Sequence, residues 1–300
     1  MFIINHSLFK IAILTGLALI AFAANSVLCR LALGHEAIDA SSFTAIRLLS
    51  GAVVLVLIVL TTQKNTDSPT QDARPKGSWT ASLMLFLYAV TFSYAYISLD
   101  TGTGALILFG AVQITMILHS LFSGTKLHVT EWLGITTAFA GFVYLILPGV
   151  TAPSLSGFLL MATSGVAWGI YTLKGRASKN PLLDTAYNFF RSVPLVIILT
   201  LITIRHTNYS SAGIWLAIIS GGITSGIGYT LWYIALSGLS SIQAAVLQLA
   251  VPVIATFGGV IFVSEVITSR LIMSAILVLG GILMVILGRY YFLKRSFYKK

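Results

Sequence analysis

The chain has 300 residues, 57% of them hydrophobic and 9% charged, with a formal net charge of +10. Soluble domains carry roughly 25% charged residues, so this composition excludes one. Apolar runs of about 20 residues, the length a helix needs to cross about 30 Å of hydrocarbon, recur from end to end and indicate an all-α polytopic membrane protein.

Ten membrane-spanning helices are predicted, over 8–32, 41–61, 79–98, 102–122, 130–148, 155–173, 182–204, 212–236, 241–263 and 269–291. The first carries Asn25 and the single cysteine, Cys29, which excludes an internal disulfide and a CxxC metal site. Its "AFA" (21–23) resembles a signal-peptidase site, but the apolar stretch continues to Leu33 and reads as a span. The second opens after Asp39 and holds Arg47 two helical turns in. A polar connector, 62–78, follows. The third contributes Thr91, Tyr94 and Tyr96, and the fourth Gln113 and His119. The sixth places Ser164, Trp168 and Tyr171 on one face, with Gly165 and Gly169 as a GxxxG pair that permits close helix approach. The seventh repeats the pattern of the second, with Asp184 followed by Arg191, and contains Pro194. The eighth places Ser225, Tyr229 and Trp232 at i, i+4 and i+7, beside a second glycine pair, Gly222 and Gly226. The ninth holds Gln248 and Pro252, the latter a kink or hinge.

The charges are asymmetric. With ten spans both termini share one side, and that side holds thirteen of the eighteen Lys and Arg residues. Arg30, Arg205 and Arg270 lie on the other, while Arg47 and Arg191 fall inside spans. Positive charge stays cytoplasmic. Both ends are therefore expected in the cytoplasm, with the protein integral to the cytoplasmic (inner) membrane. The charge of +10 reflects this bias and implies no nucleic acid.

The chain also repeats itself. "DASSFTAIRLLSG" (39–51) pairs with "DTAYNFFRSVP" (184–194), and "AFAANSVLCR" (21–30) with "SGVAWGIYTLKGR" (164–176). "YISL" (96–99) pairs with "YIAL" (233–236), "GALILFGAV" (104–112) with "AAVLQLAVP" (244–252), and "TTAFAGFVYLIL" (136–147) with "AILVLGGILMVIL" (275–287). The halves 1–150 and 151–300 thus read as two five-helix units. Because five is odd, the second enters the membrane inverted, as in secondary transporters whose substrate site lies at mid-depth between the copies.

These features resemble the drug/metabolite transporter superfamily with its tandem EamA-type domains. The resemblance rests on the 5 + 5 duplication, Trp168-Gly169, the second-span arginines, and "QLAVPVIATFGGVIFVSE" (248–265) before the last span. The first repeat departs from it: Gln113 lies next to the position equivalent to Pro252, and Gly124 or Thr125 stands where Glu265 has its counterpart. The resemblance implies a secondary transporter of small organic metabolites, closest to the aromatic amino-acid exporters, working by alternating access and needing no cofactor.

Hydrogen-bonding side chains are costly against lipid, so Asn25, Tyr94, Gln113, Trp168, Tyr171, Ser225, Tyr229, Trp232 and Gln248 are the expected lining of a substrate chamber. Such a lining suits an aromatic amino acid; it also suits a flat organic cation through its ring faces, so extrusion of cationic drugs is the alternative. Arg47 and Arg191 are expected to hold or gate opposite mouths, with Pro252 as a structural break. The partners are then a small-molecule substrate and the lipid bilayer, with a monomer as the expected unit. An intramembrane enzyme would need a nucleophile and base at depth; His119, the one base there, has neither HExxH nor a paired acid around it. No Asp or Glu lies deep in a span, which leaves proton or sodium coupling unsupported, and the absence of a Walker A sequence excludes ATP use.

Overall fold

The computed structural model describes residues 3–64, 77–124, 127–149, 152–175, 178, 180–236, 238–239 and 241–297. Thr125, most of the connector 62–78, and the basic residues Arg74, Lys76, Lys126, Arg176, Lys179, Lys299 and Lys300 lie outside the described residues.

The chain forms α1 (Ile3–Gly34), α2 (Ala40–Lys64), α3 (Trp79–Tyr96), α4 (Thr101–Phe122), α5 (Val129–Ile146), α6 (Leu155–Gly175) and α7 (Pro181–Thr203). A short 3₁₀ turn (Ile204–His206) leads to α8 (Ser211–Ile218), a π-helical segment (Ile219–Ile227) and α9 (Gly228–Leu236), which make one continuous pass. After them come α10 (Ser241–Gln248), α11 (Ala250–Val263) and α12 (Ser269–Phe297). Among the described residues, nine segments are long and apolar enough to cross a membrane. Nine of the ten passes expected from the sequence correspond to these segments; the remaining one, 79–98, falls on the helix α3, whose Tyr88, Thr91, Ser93, Tyr94 and Tyr96 leave it less apolar than the nine.

Polar side chains set the helix starts. Ser78 accepts from the Ala81 amide at 3.1 Å to open α3, and Asn180 accepts from Leu183 at 3.2 Å to open α7, with Pro181 in the first turn. Ser210 does the same for α8, and His128 with Glu131 forms a capping box on α5. Each cap is worth about 1 kcal/mol.

Helix pairing follows a pattern. α5 packs on α12, α2 on α7, and α4 on α11. α1 packs on α9 and on the π segment, as α6 packs on α3; α1 packs on α11, as α6 packs on α4. Glycines allow the closest approaches. A Cβ on Gly134 would fall on the Gly281 carbonyl oxygen, and one on Gly281 would fall on that of Gly134. The two predicted GxxxG pairs also sit at contacts, Gly165 and Gly169 against α4, and Gly222 and Gly226 against Val54 of α2.

Two irregularities shape the interior. The ninth pass breaks at Leu249, because Pro252 has no N–H for the Gln248 carbonyl and its ring crowds that carbonyl. In the eighth pass, the i→i+5 turns of the π segment take Ser225 out of α-helical register with Tyr229 and Trp232. The shared face predicted for these three residues assumed a uniform α-helix.

Candidate functional site

A cavity of about 670 Å³ enters the bundle beside Gly175, Ser178 and Pro181 on one side and Leu236 and Leu239 on the other. Its deeper walls are Phe22, Met116, Trp168, Tyr171, Thr172, Tyr229, Trp232 and Tyr233, with Ala244, Ala245 and Gln248 from α10. The break at Leu249 leaves Gln248 at the end of α10, facing this space. The aromatic walls support one another: Trp168 lies 5.2 Å from Tyr171 and 5.1 Å from Tyr229, and Phe22 lies 5.7 Å from Trp232, ring centre to ring centre. Such pairs contribute about 0.5–1.5 kcal/mol each beyond their burial.

Beyond Phe22, Trp168 and Tyr229, which line both spaces, lies a void of about 20 Å³ bounded also by Asn25, Tyr88, Phe92 and Thr224. A polar network surrounds it. Ser220 donates to Asn25 Oδ1 at 2.5 Å and Thr224 at 3.3 Å, and Asn25 Nδ2 donates to the Tyr88 hydroxyl at 3.4 Å. Arg47 Nη2 donates to the same hydroxyl at 2.8 Å. The Arg47 guanidinium lies over the rings of Tyr88 and Phe92, 5.1 and 4.8 Å from their centres. Arg47 is 2% exposed, and its Nη1 is buried without a hydrogen-bond partner. It therefore neither snorkels to an interface nor caps a described carbonyl. A charge at the centre of a membrane helix costs about 2.5–3.5 kcal/mol even on insertion scales.

At the end of the bundle away from the cavity mouth, polar contacts join the connections. Glu265, just after α11, accepts from the Thr101 amide at 2.9 Å with both carboxylate oxygens and so caps α4 in place of Asp100, whose side chain makes no cap bond. Arg30, near the end of α1, donates to Glu265 at 3.3 Å and to the carbonyls of Tyr96 and Ile97 at 3.1 Å, and pairs with Asp100 at 3.6 Å. Burial pushes the Glu265 carboxyl above its ordinary range, against the Thr101 bonds and the Arg30 charge. Nearby, the Asp39 amide donates to the Asn208 carbonyl at 2.7 Å, and the Asn208 amide donates to Asp39 Oδ2 at 3.0 Å. Burial raises the Asp39 carboxyl, but bonds from Ser41, Ser42 and Asn208 outweigh it and hold the group below its ordinary range. Arg270 clamps the end of α5 through the carbonyls of Tyr144, Leu145 and Leu147.

Of the residues predicted from sequence, Asn25, Trp168, Tyr171, Tyr229, Trp232 and Gln248 meet around the cavity and the void beside it. Tyr94, Gln113 and Ser225 lie outside that lining. The Ser225 hydroxyl bonds the Ser220 carbonyl at 2.9 Å, and Gln113 is buried with its Nε2 unpartnered. Arg191 lies 6.0 Å from the Tyr187 ring centre, close to Gly77 where α3 begins. Sequence reasoning passed over Tyr88 and Phe22, and it left Arg30 and Glu265 as unrelated span ends, since a single sequence does not pair residues 235 positions apart. No group of His, Cys, Asp and Glu among the described residues could hold a metal ion.

The model of the EamA-like transporter family matches residues 9–147 and again 155–287. An uncharacterized Pseudomonas aeruginosa protein is 46% identical over 277 residues, covering 92% of this chain and 94% of the relative. The uncharacterized transporter YoaV of Bacillus subtilis is 23% identical, with 81% and 85% covered. An uncharacterized transporter of Archaeoglobus fulgidus is 28% identical, with 68% and 74% covered. A solved crystal structure shares the fold, with a TM-score of 0.57 at 20% identity, over 90% of this chain and 98% of the other.

Proposed function

The chain belongs to the EamA-like transporter family, and from that premise we propose that it exports a small amino acid, an aromatic one foremost, by alternating access. It is an integral membrane transporter of small molecules; the solute and the direction are the proposal. The observation that carries it is the cavity of about 670 Å³, walled by Trp, Tyr and Gln, with Gly175, Ser178, Pro181, Leu236 and Leu239 at one end. Rings and amides suit a solute with an aromatic body and polar groups.

The charge bias is consistent with export. With both termini cytoplasmic in the inner membrane, the mouth at Gly175 and Leu239 faces the cytoplasm, where an exporter loads. The Arg30–Glu265–Thr101 cluster then closes the outer end, with Arg191 placed towards the mouth and Pro252 holding the break that orients Gln248. The pairing pattern supports ten passes in two inverted units, 1–150 and 151–300. Exchanging the first five passes for the last five turns α1 on α9 into α6 on α3 and α1 on α11 into α6 on α4, and maps α5 on α12, α2 on α7 and α4 on α11 onto themselves.

Organic-cation extrusion would use the same ring faces, but no Asp or Glu lines the cavity or the void. Uptake into liposomes of a panel of labelled amino acids and one organic cation tests the proposal. Transport of the cation alone overturns it.

A further inference from the structure

We infer that Arg47, acting with Tyr88 and Asn25, is the recognition site for a carboxylate of the transported solute. This restricts the substrate class to small carboxylates with an apolar or aromatic body, zwitterions included, and rests on the export reading above.

Arg47 is buried at membrane depth, and the ion pairs found among the described residues belong to Arg30, at the far end of the bundle. The rings of Tyr88 and Phe92 hold the guanidinium in place without neutralising it. A buried cation left in this state is costly, and an entering anion offsets that cost.

The Tyr88 hydroxyl accepts from Arg47 and from Asn25, so its own hydrogen is directed away from both. Asn25 Oδ1 already accepts from Ser220 and Thr224, so the amide group is what Asn25 has left to offer. Arg47 Nη1 is a further donor with no acceptor. A carboxylate is acceptor-only when ionised, and is what such a set of donors lacks.

The void beside Asn25 and Tyr88 holds about one water. Phe22, Trp168 and Tyr229 separate it from the large cavity. A solute resting its body in the cavity points its polar head at this aromatic partition, and when Trp168 and Tyr229 part, the carboxylate enters the void. A cationic head meets the repulsive field of Arg47 there, set against the attraction of the ring faces.

The test uses the full chain reconstituted in liposomes, wild type and Arg47→Gln, with four labelled probes: L-phenylalanine, 3-phenylpropanoate, L-phenylalaninamide and 2-phenylethylamine. The wild type is expected to move the two carboxylates at least about tenfold faster than the amide and the amine, the scale of one charge-assisted hydrogen bond. Arg47→Gln is expected to slow the carboxylates by a similar factor and to abolish the preference. Tyr88→Phe, which keeps the ring and loses the hydroxyl, is expected to weaken the preference and stands in should Arg47→Gln not fold. Quenching of the Trp168 and Trp232 fluorescence reads binding where transport is lost. A wild type that moves the amide as well as the acid, or an Arg47→Gln protein that still prefers the acid, overturns the inference and leaves export intact. If no probe is moved or bound, the export reading falls and the inference falls with it.

Discussion

Glu265 shows how one carboxylate can link three parts of the chain. It caps α4 through the Thr101 amide and pairs with Arg30 of α1, while its own backbone follows α11. Burial outweighs these partners, so its folded pKa lies above the ordinary value. The sign follows from linkage. A raised folded pKa contributes stability that is fully present below the unfolded value, about 4.3, and is lost as the pH rises through the raised one. Glu265→Gln removes this titration and leaves Asp39 and the other acids in place. The difference in Tm, wild type minus Glu265→Gln, is therefore expected to move in favour of the wild type as the pH falls from 7 towards 4.5. Thermal melts in detergent across that range check it, and a difference that does not vary with pH contradicts it. Arg30→Gln is expected to cost more at pH 7 than Glu265→Gln. It strips the pair of its cation, leaves a part-buried carboxylate behind, and abandons the carbonyls of Tyr96 and Ile97.

At the level of elements, the eighth and ninth passes depart from regular helices for different reasons. The π segment lies against α2 so closely that a Cβ on Gly221 would overlap the Arg47 carbonyl oxygen and Ser50 Oγ. Gly221→Ala is expected to lose about 1–3 kcal/mol, the usual cost of overpacking, because a helix carbonyl cannot step aside. Gly222→Ala meets only a Val54 methyl at 3.1 Å and is expected to cost less; melting both variants side by side decides the matter. In the ninth pass, Pro252→Ala restores the N–H that the Gln248 carbonyl lacks and joins α10 to α11. Stability is expected to hold or rise, since alanine is the better helix former, while uptake falls as Gln248 is drawn into a continuous helix. Faster uptake would contradict this. Proline marked the break in advance, though its location three residues upstream follows from the carbonyl that it leaves unbonded. Nothing in "ISGGITSGI" forecast i→i+5 turns, and the α2 backbone that Gly221 meets lies about 170 residues away in sequence.

For the whole molecule, periodicity and charge carried the broad reading, since apolar length and basic bias are properties of the chain alone. Trp168, Tyr171, Tyr229, Trp232 and Gln248 could be nominated from the chain as well, because hydrogen-bonding side chains are costly against lipid. The partners of Arg47 could not, because Tyr88 reaches it only after α3 packs beside α2, and the closure at Arg30 depends on loops distant in sequence. That closure supports a final expectation about access. Cys29 is fully buried, so the wild type offers little background to a thiol reagent. Ala245→Cys places a thiol on the cavity wall. A membrane-impermeant maleimide is expected to label it in inside-out vesicles and only slowly in right-side-out ones, because the cavity opens at the end bearing Gly175 and Leu239. Adding Arg30→Gln removes the tie to Glu265 and Asp100 and is expected to speed labelling from the outside several-fold, as the opposite end opens more often. Equal labelling from both sides of the single variant contradicts a cavity with one mouth. Reversed sidedness contradicts the cytoplasmic placement of the termini. An unchanged outside rate in the double variant removes Arg30 from the closure while leaving the cavity as it stands.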